Sequence, residues 1–196
     1  MGTAGSTAPF TCTICCRPVS DPMRRTKRRR PIRALFLDVD GVLTDGRIYL
    51  DGRGHELKVF NTKDGHGMRK AARAGITVCW ISGRRSPATA RRAKELGVPF
   101  CFQGVRDKRA RLEALQRRLR VTPAETAAMG DDEPDIPMFE AAALSACPSD
   151  AAAAARRAAG IVLGAAGGAG AVREFVELIL KRDGKGRILT HRSGSN

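Results

Sequence analysis

Short uninterrupted runs of apolar residues recur along this chain. Three of them cover residues 34–37, 75–81 and 126–128, and hydrophobic runs of this length are typical of buried strands in a parallel sheet. Near the end of the chain, apolar residues recur every three or four positions, as in a core-facing helix. They are Val172, Phe175, Val176, Ile179 and Leu180. The pattern predicts an α/β protein with a central parallel sheet.

Two carboxylates, Asp38 and Asp40, directly follow the first apolar run. Ligands of open α/β sheets bind beyond the carboxyl ends of the strands, and strand side chains alternate, so both aspartates can face one site. Adjacent carboxylates repel each other unless a cation binds them or one keeps its proton. Both conditions suit phosphoryl transfer, in which Asp38 attacks phosphorus, Asp40 protonates the leaving oxygen and Mg²⁺ neutralises charge. A strand that ends in a polar turn is the alternative.

A hydroxyl and an ammonium group occupy comparable places further along the chain. Ser82 ends the second apolar run, where a hydroxyl can donate a hydrogen bond to a phosphoryl oxygen. Lys108 lies near the start of the helical pattern over residues 112–119, where its charge can balance a nucleophile and a phosphoryl group. Arg106 and Arg109 are nearly equivalent to it by sequence, and many lysines that open a helix only face solvent.

Three acidic residues, Asp131, Asp132 and Asp135, follow the third apolar run. Carboxylate oxygens at the end of a strand suit a hard cation such as Mg²⁺, which binds one or two carboxylates and several waters. An acidic turn on the surface is the alternative interpretation.

These features together resemble the four motifs of the haloacid dehalogenase (HAD) superfamily of phosphatases. DVDGVLTDG at residues 38–46, Ser82, Lys108 and GDDEPD at residues 130–135 occur in the order of those motifs. The resemblance implies a Rossmannoid core of three layers with a central parallel sheet. It implies the catalytic residues Asp38, Asp40, Ser82 and Lys108, and the Mg²⁺ ligands Asp38, Asp40 (through its main-chain carbonyl) and Asp131.

The spacing between these motifs leaves no room for an inserted cap domain. Asp40 and Ser82 are 42 positions apart, and Lys108 and Asp131 are 23 positions apart, whereas an independent domain needs roughly 50 residues. The first interval instead contains two alternating segments around an Asp-Gly pair, which predicts a projecting β-hairpin over residues 48–60. An isolated hairpin is marginally stable and has exposed edges, so we expect it to pair with copies from other subunits.

A HAD core without a cap that carries such a hairpin resembles the family of 3-deoxy-D-manno-octulosonate 8-phosphate (KDO 8-phosphate) phosphatases. The matching signatures extend from residue 32 to residue 181 and include KVFNTKDGHG at residues 58–67 and GGAGAVRE at residues 167–174. The resemblance implies hydrolysis of KDO 8-phosphate by a homotetramer whose neighbouring chains help cover each active site. Two alternatives are open: a phosphatase of sialic acid 9-phosphate or another phosphosugar, and a HAD-like module of nucleotide-sugar metabolism without activity.

A sugar acid carries a carboxylate besides its phosphate, and an arginine can bind a carboxylate through two hydrogen bonds. Arg84 and Arg173 are the candidates for this contact, with Arg85 as a third. Asp64 is a further candidate for substrate binding, and His66 could border the pocket, because both lie in a Gly-rich segment before a helix. A role in the turn is the alternative for both.

The net charge of +15 is concentrated at the two ends of the 196-residue chain. Residues 1–31 hold seven basic residues and one acidic residue, and residues 181–196 hold five and one. No aromatic residues interleave the basic run, as stacking on single-stranded nucleic acid requires, so we do not expect nucleic acid as a partner. We interpret residues 1–31 and 182–196 as disordered tails of one domain over residues 32–181. Electrostatic binding of nucleic acid or of an acidic surface by these basic ends is the alternative.

The six cysteines form no recognisable disulfide framework. Cys12, Cys15 and Cys16 contain one CxxC step without the further ligands that zinc requires, so an unstructured extension is preferred, and Met23 could be the true start. The chain has no evident export signal and no segment of about 18 uninterrupted apolar residues. We therefore expect a cytoplasmic protein without a membrane span.

Overall fold

The structure, a computed structural model, describes residues 1–2 and 29–185 of the chain. The strands in this part are β1 (Ala34–Leu37), β2 (Tyr49–Leu50), β3 (Glu56–Leu57), β4 (Thr77–Ile81), β5 (Phe100–Phe102), β6 (Thr126–Met129), β7 (Leu144–Cys147) and β8 (Ile161–Val162). The helices are α1 (Thr62–Arg73), α2 (Pro87–Leu96), α3 (Lys108–Leu119), α4 (Ile136–Glu140), α5 (Ala153–Ala158) and α6 (Ala171–Arg182), with 3₁₀ turns at Pro123–Glu125 and Glu133–Asp135. The predictions for most of both basic ends, and for Cys12, Cys15 and Cys16, lie outside the described residues.

Six strands form one parallel sheet in the order β5-β4-β1-β6-β7-β8. The first strand of the chain is therefore central: Phe36 of β1 lies between Cys79 of β4 and Ala128 of β6. All three apolar runs of the sequence are strands of this sheet, which confirms the predicted parallel α/β architecture.

Helices cover both faces of the sheet, because side chains of each strand alternate between the two faces. Leu35 and Leu37 pack into a core with α1 and α6, whereas Ala34 and Phe36 pack into a second core with α3 and α4. The apolar stripe of α6 is buried throughout, as the spacing predicted. The result is the predicted core of three layers.

The predicted hairpin is present as a separate two-stranded antiparallel sheet of β2 and β3. Its apolar side chains are solvent-exposed in a single chain: Leu50 is 65% exposed and Leu57 is 60% exposed, with Ile48 and Val59 similar. The intervals 40–82 and 108–131 are fully described and contain no cap domain, in agreement with the motif spacing.

The two ends of the domain meet beside α6. The backbone N–H of Ile32 donates to Asp183 Oδ2 at 2.7 Å, and Lys185 Nζ donates to the carbonyl of Ala74 at 2.9 Å. Residues 182–185, which we assigned to the C-terminal tail, therefore pack against the domain. In the part of the chain that the structure covers, no helix has both the length and the apolarity to cross a membrane.

Candidate active site

The carboxyl ends of the central strands bring the candidate catalytic residues together. Asp38 follows β1, Ser82 follows β4, Asp131 follows β6 after Gly130, and Lys108 opens α3. Because parallel strands end at the same edge of a sheet, residues far apart in sequence become neighbours there. The structure thus places these side chains and Asp40 at one edge, as the sequence indicated, and their chemical roles stay predictions.

Lys108 is a buried cation at this edge. Its ammonium group donates to Asp38 Oδ1 at 2.7 Å and to Asp135 Oδ1 at 2.5 Å. The other oxygen of Asp135 accepts from the backbone N–H groups of Asp131 and Asp132 at 3.0 and 3.3 Å. Asp135 therefore fixes both Lys108 and the acidic turn. The sequence analysis placed Asp135 among the acidic residues near the cation, but it did not predict the contact with Lys108.

Three carboxylates crowd together beside Lys108. One oxygen from each of Asp38, Asp131 and Asp135 lies within 4.8 Å of the others. Burial and the charge of Asp135 raise the pKa of Asp38 to about 7, against the opposing effect of Lys108. Burial and the charges of Asp38 and Asp135 raise the pKa of Asp131 to about 8. A single ammonium group leaves this cluster negative, so a further cation fits it.

Asp131 has the most suitable carboxylate for such a cation. Among the described residues, none donates a hydrogen bond to its side-chain oxygens, whereas those of Asp135 are already engaged. The Asp131 carboxylate lies directly over Gly41, where an added Cβ would be 2.1 Å from Oδ2 and where the φ of +85° favours glycine. A glycine is thus needed for the approach of Asp131 to the loop after β1.

The loop after β1 rests on the GGAGAVRE segment. A Cβ at Gly167 would lie 1.9 Å from the carbonyl oxygen of Gly41, and a Cβ at Gly168 would lie 2.7 Å from the carbonyl carbon of Thr44. Asn61, the N-cap of α1, also donates its side-chain amide to the carbonyl of Gly168 at 3.0 Å. This segment therefore supports the backbone of motif I, the DVDGVLTDG sequence at residues 38–46 that contains Asp38 and Asp40.

Asp40 lies between Ser82 and the base of the hairpin. Ser82 Oγ donates to Asp40 Oδ2 at 3.3 Å, and the Lys58 ammonium group forms an ion pair with Asp40 Oδ1. Lys58 is also 3.9 Å from Glu56, whose carboxylate accepts from Arg84 at 2.8 Å. The sequence analysis missed Lys58 and Glu56, because charged residues in a hairpin are ordinarily solvated.

The three candidate substrate ligands have different surroundings. Arg84 follows Ser82 closely in the chain, and its guanidinium group is half-exposed at the hairpin. Arg173 pairs with Glu177 at 2.7 Å along the surface of α6. Asp64 is buried, which raises its pKa, and it accepts from the backbone N–H groups of Gly170 and Arg173 at 3.2 and 2.9 Å. Asp64 thus stabilises the start of α6, so we leave it out of the proposed substrate site.

Comparison with known proteins agrees with this geometry. A family model described as haloacid dehalogenase-like hydrolase matches residues 102–175. The fold and the acidic site define the class: a HAD-like hydrolase of phosphoric monoesters. A relative from Salmonella typhimurium, 3-deoxy-D-manno-octulosonate 8-phosphate phosphatase KdsC, is 41% identical over 180 residues, which is 92% of this chain and 95% of the relative. The chain belongs to this KDO 8-phosphate phosphatase family.

Solved structures of the same family superpose on the chain. The phosphatase from Moraxella catarrhalis, in complex with magnesium, phosphate and KDO, has a TM-score of 0.78 and 36% identity over 80% of this chain and 90% of that chain. The cobalt-bound form from Haemophilus influenzae has a TM-score of 0.78 and 38% identity over 82% of this chain and 94% of that chain. Both matches cover more than three quarters of each chain.

Proposed function

We propose that this chain hydrolyses KDO 8-phosphate to KDO and phosphate with the help of Mg²⁺. The names of the relatives support the substrate, and the Moraxella catarrhalis complex supports the ion. The observation that carries the proposal is the buried contact of Asp38 with Lys108 beside the carboxylate of Asp131. It combines a nucleophile, a fixed cation and a cation-binding carboxylate at one edge of the sheet.

The proposed reaction consists of two in-line displacements. A carboxylate oxygen of Asp38 attacks phosphorus, the bond between phosphorus and the sugar oxygen breaks, and Asp40 gives its proton to that oxygen. Asp40 then takes a proton from water, whose oxygen attacks phosphorus and releases Asp38 with phosphate. The chain ends each cycle in its starting state.

Charge stabilisation at the phosphoryl oxygens accounts for the other polar groups, since it is usually the largest catalytic contribution. Lys108 at the start of α3 and Ser82 directly after β4 would stabilise the charge of the phosphoryl oxygens. Mg²⁺ would be held by the carboxylates of Asp38 and Asp131 and by the main-chain carbonyl of Asp40, and it would supply the remaining positive charge. Asp135 would contribute indirectly, because it orients Lys108 and the backbone of Asp131.

Arg84 is our preferred ligand for the sugar carboxylate. It lies two residues from Ser82, and its half-exposed guanidinium group can exchange Glu56 for a substrate carboxylate. Arg173 is the second candidate, although its guanidinium group is bound to Glu177 on α6.

The exposed apolar hairpin supports the homotetramer that the resemblance implies. Side chains such as Leu50 and Leu57 lie on a two-stranded sheet whose outer edges pair with no other strand among the described residues. Hairpins of several subunits could cover one another in the way that exposed apolar patches are usually covered. The assembly and the cytoplasmic location stay predictions.

A substrate panel tests the proposed function. Phosphate release should be fastest from KDO 8-phosphate, slower from sialic acid 9-phosphate, and abolished by EDTA in both cases. Asp38→Asn should be inactive while it keeps the circular dichroism spectrum of the wild type. A preference for sialic acid 9-phosphate would contradict the substrate, and turnover by Asp38→Asn would contradict the nucleophile.

A further inference from the structure

Lys58 is a buried cation that the mechanism above does not use. Its side chain is only 4% exposed, although it directly follows a strand of the solvent-exposed hairpin. The ammonium group forms an ion pair with Asp40 and lies 3.9 Å from Glu56, which in turn binds Arg84. A row of alternating charges therefore connects motif I with the base of the hairpin.

Burial of an ammonium group is costly unless its charge is paired. Lys58 meets this condition by its ion pair with one oxygen of Asp40 and by the charge of Glu56 at 3.9 Å, while Ser82 donates weakly to the other oxygen of Asp40 at 3.3 Å. Asp40 itself lies on a loop and is partly open to solvent. Among the described residues, one long hydrogen bond from a serine hydroxyl would be left without Lys58 to fix the direction of the Asp40 carboxyl group.

We propose that Lys58 is a positioning residue for Asp40, which it aims at the leaving oxygen of the substrate. The inference rests on the proposed function, since it concerns the same proton transfer. In the first displacement the bond between phosphorus and the sugar oxygen breaks, and the proton of Asp40 goes to that oxygen. In the second, Asp40 receives a proton from the attacking water. Both transfers need a carboxyl oxygen within hydrogen-bond reach of the reacting atom.

The proposal makes the effect of Lys58 depend on the leaving group. A sugar alkoxide is a poor leaving group and needs the proton of Asp40, whereas p-nitrophenolate is a stable anion that leaves without one. Loss of Lys58 should therefore lower kcat/KM for KDO 8-phosphate but not for p-nitrophenyl phosphate. This ratio includes only the steps up to the first displacement, and it excludes the second, in which Asp40 acts on the same intermediate for both substrates. A defect in folding or in metal binding would slow both reactions alike.

The experiment compares wild type, Lys58→Met, Lys58→Arg and Asp40→Asn on the two substrates under saturating Mg²⁺. For Lys58→Met we expect kcat/KM on KDO 8-phosphate to fall by roughly tenfold to a hundredfold, part of the usual contribution of an acid–base group. On p-nitrophenyl phosphate kcat/KM should change by less than about threefold. Lys58→Arg should recover much of the loss, because it keeps the charge.

A double-variant cycle and a matched control complete the test. On KDO 8-phosphate, Lys58→Met combined with Asp40→Asn should have no lower kcat/KM than Asp40→Asn alone, since both changes act on the proton transfer of the first displacement. Lys94→Met removes an exposed lysine of α2 and should leave both activities unchanged. Equal losses of kcat/KM on both substrates, or no loss on either, would overturn the proposal.

The result also separates this inference from the proposed function. If the wild type does not hydrolyse KDO 8-phosphate, the proposed substrate is wrong, and the comparison is made on the sugar phosphate that the wild type hydrolyses fastest. If the wild type hydrolyses KDO 8-phosphate but Lys58→Met keeps its full kcat/KM, only the role of Lys58 is wrong.

Discussion

Replacement of Lys108 by methionine should strongly destabilise the metal-free protein. Its side chain is 7% exposed and is bound to Asp38 and Asp135, which are 7% and 1% exposed. Removal of one partner from a buried ion pair typically costs about 3–5 kcal/mol, because the remaining charge is left without a partner. Domains of this size shift by about 2–4 °C in Tm per kcal/mol. We therefore expect Tm to fall by roughly 6–20 °C.

Urea unfolding in EDTA, monitored by circular dichroism, measures the loss in the free energy of unfolding, and thermal unfolding measures the fall in Tm. Mg²⁺ should reduce the difference between Lys108→Met and wild type, because the ion supplies positive charge to the same carboxylates. Asp135→Asn in the Lys108→Met background should restore part of the stability, since it removes one orphaned charge. Lys94→Met is the control for loss of an exposed lysine. Equal stability of Lys108→Met and wild type in EDTA would refute the argument from buried charge.

Three further predictions follow from the site and the hairpin. Folding raises the pKa of Asp131 from 3.8 to about 8, so the folded metal-free protein binds this proton more tightly than the unfolded chain does. Stability in EDTA should therefore decrease as pH rises between about 4 and about 8, and the increase in Tm caused by Mg²⁺ should be larger at about pH 8 than at about pH 6. If the increase in Tm caused by Mg²⁺ does not change with pH, Mg²⁺ and the proton do not compete for Asp131. Gly41→Ala should weaken Mg²⁺ binding in calorimetry, because its Cβ would displace the Asp131 carboxylate, whereas Gly52→Ala has open space and should bind Mg²⁺ normally. Leu57→Glu should lower the mass of the assembly in light scattering. Leu178 on α6 is 39% exposed, and Leu178→Glu should leave the mass unchanged. An unchanged mass for Leu57→Glu would argue against association through the hairpin.

The sequence predicted those parts of the molecule that depend on local pattern. Apolar runs marked β1, β4 and β6, and the polar residues directly after them had to meet because parallel strands end at one edge. The position of Asp38, Ser82 and Asp131 therefore followed without knowledge of the strand order. The apolar stripe on α6 could also be predicted, since the spacing of its apolar residues indicates which helix face is buried.

Contacts between distant segments could not be predicted in this way. Asp64 was a candidate substrate ligand because its Gly-rich segment was expected to precede a helix, but Asp64 lies in the first turn of α1. Its partners Gly170 and Arg173 lie more than a hundred residues away. The ion pair of Lys58 with Asp40 depends on how the hairpin folds back over motif I. Neither contact leaves a periodic signal, so only the assembled fold shows them.

The packing of Gly167 and Gly168 against the loop after β1 has a consequence for biosynthesis. The ribosome adds these glycines more than a hundred residues after Asp38 and Asp40 have been made. A nascent chain arrested before residue 167 already contains the proposed catalytic residues and metal ligands, which are Asp38, Asp40, Ser82, Lys108 and Asp131. It lacks the glycines that pack against the loop after β1. Enzymatic competence should therefore arise late in translation, when the last helix docks and holds that loop in place.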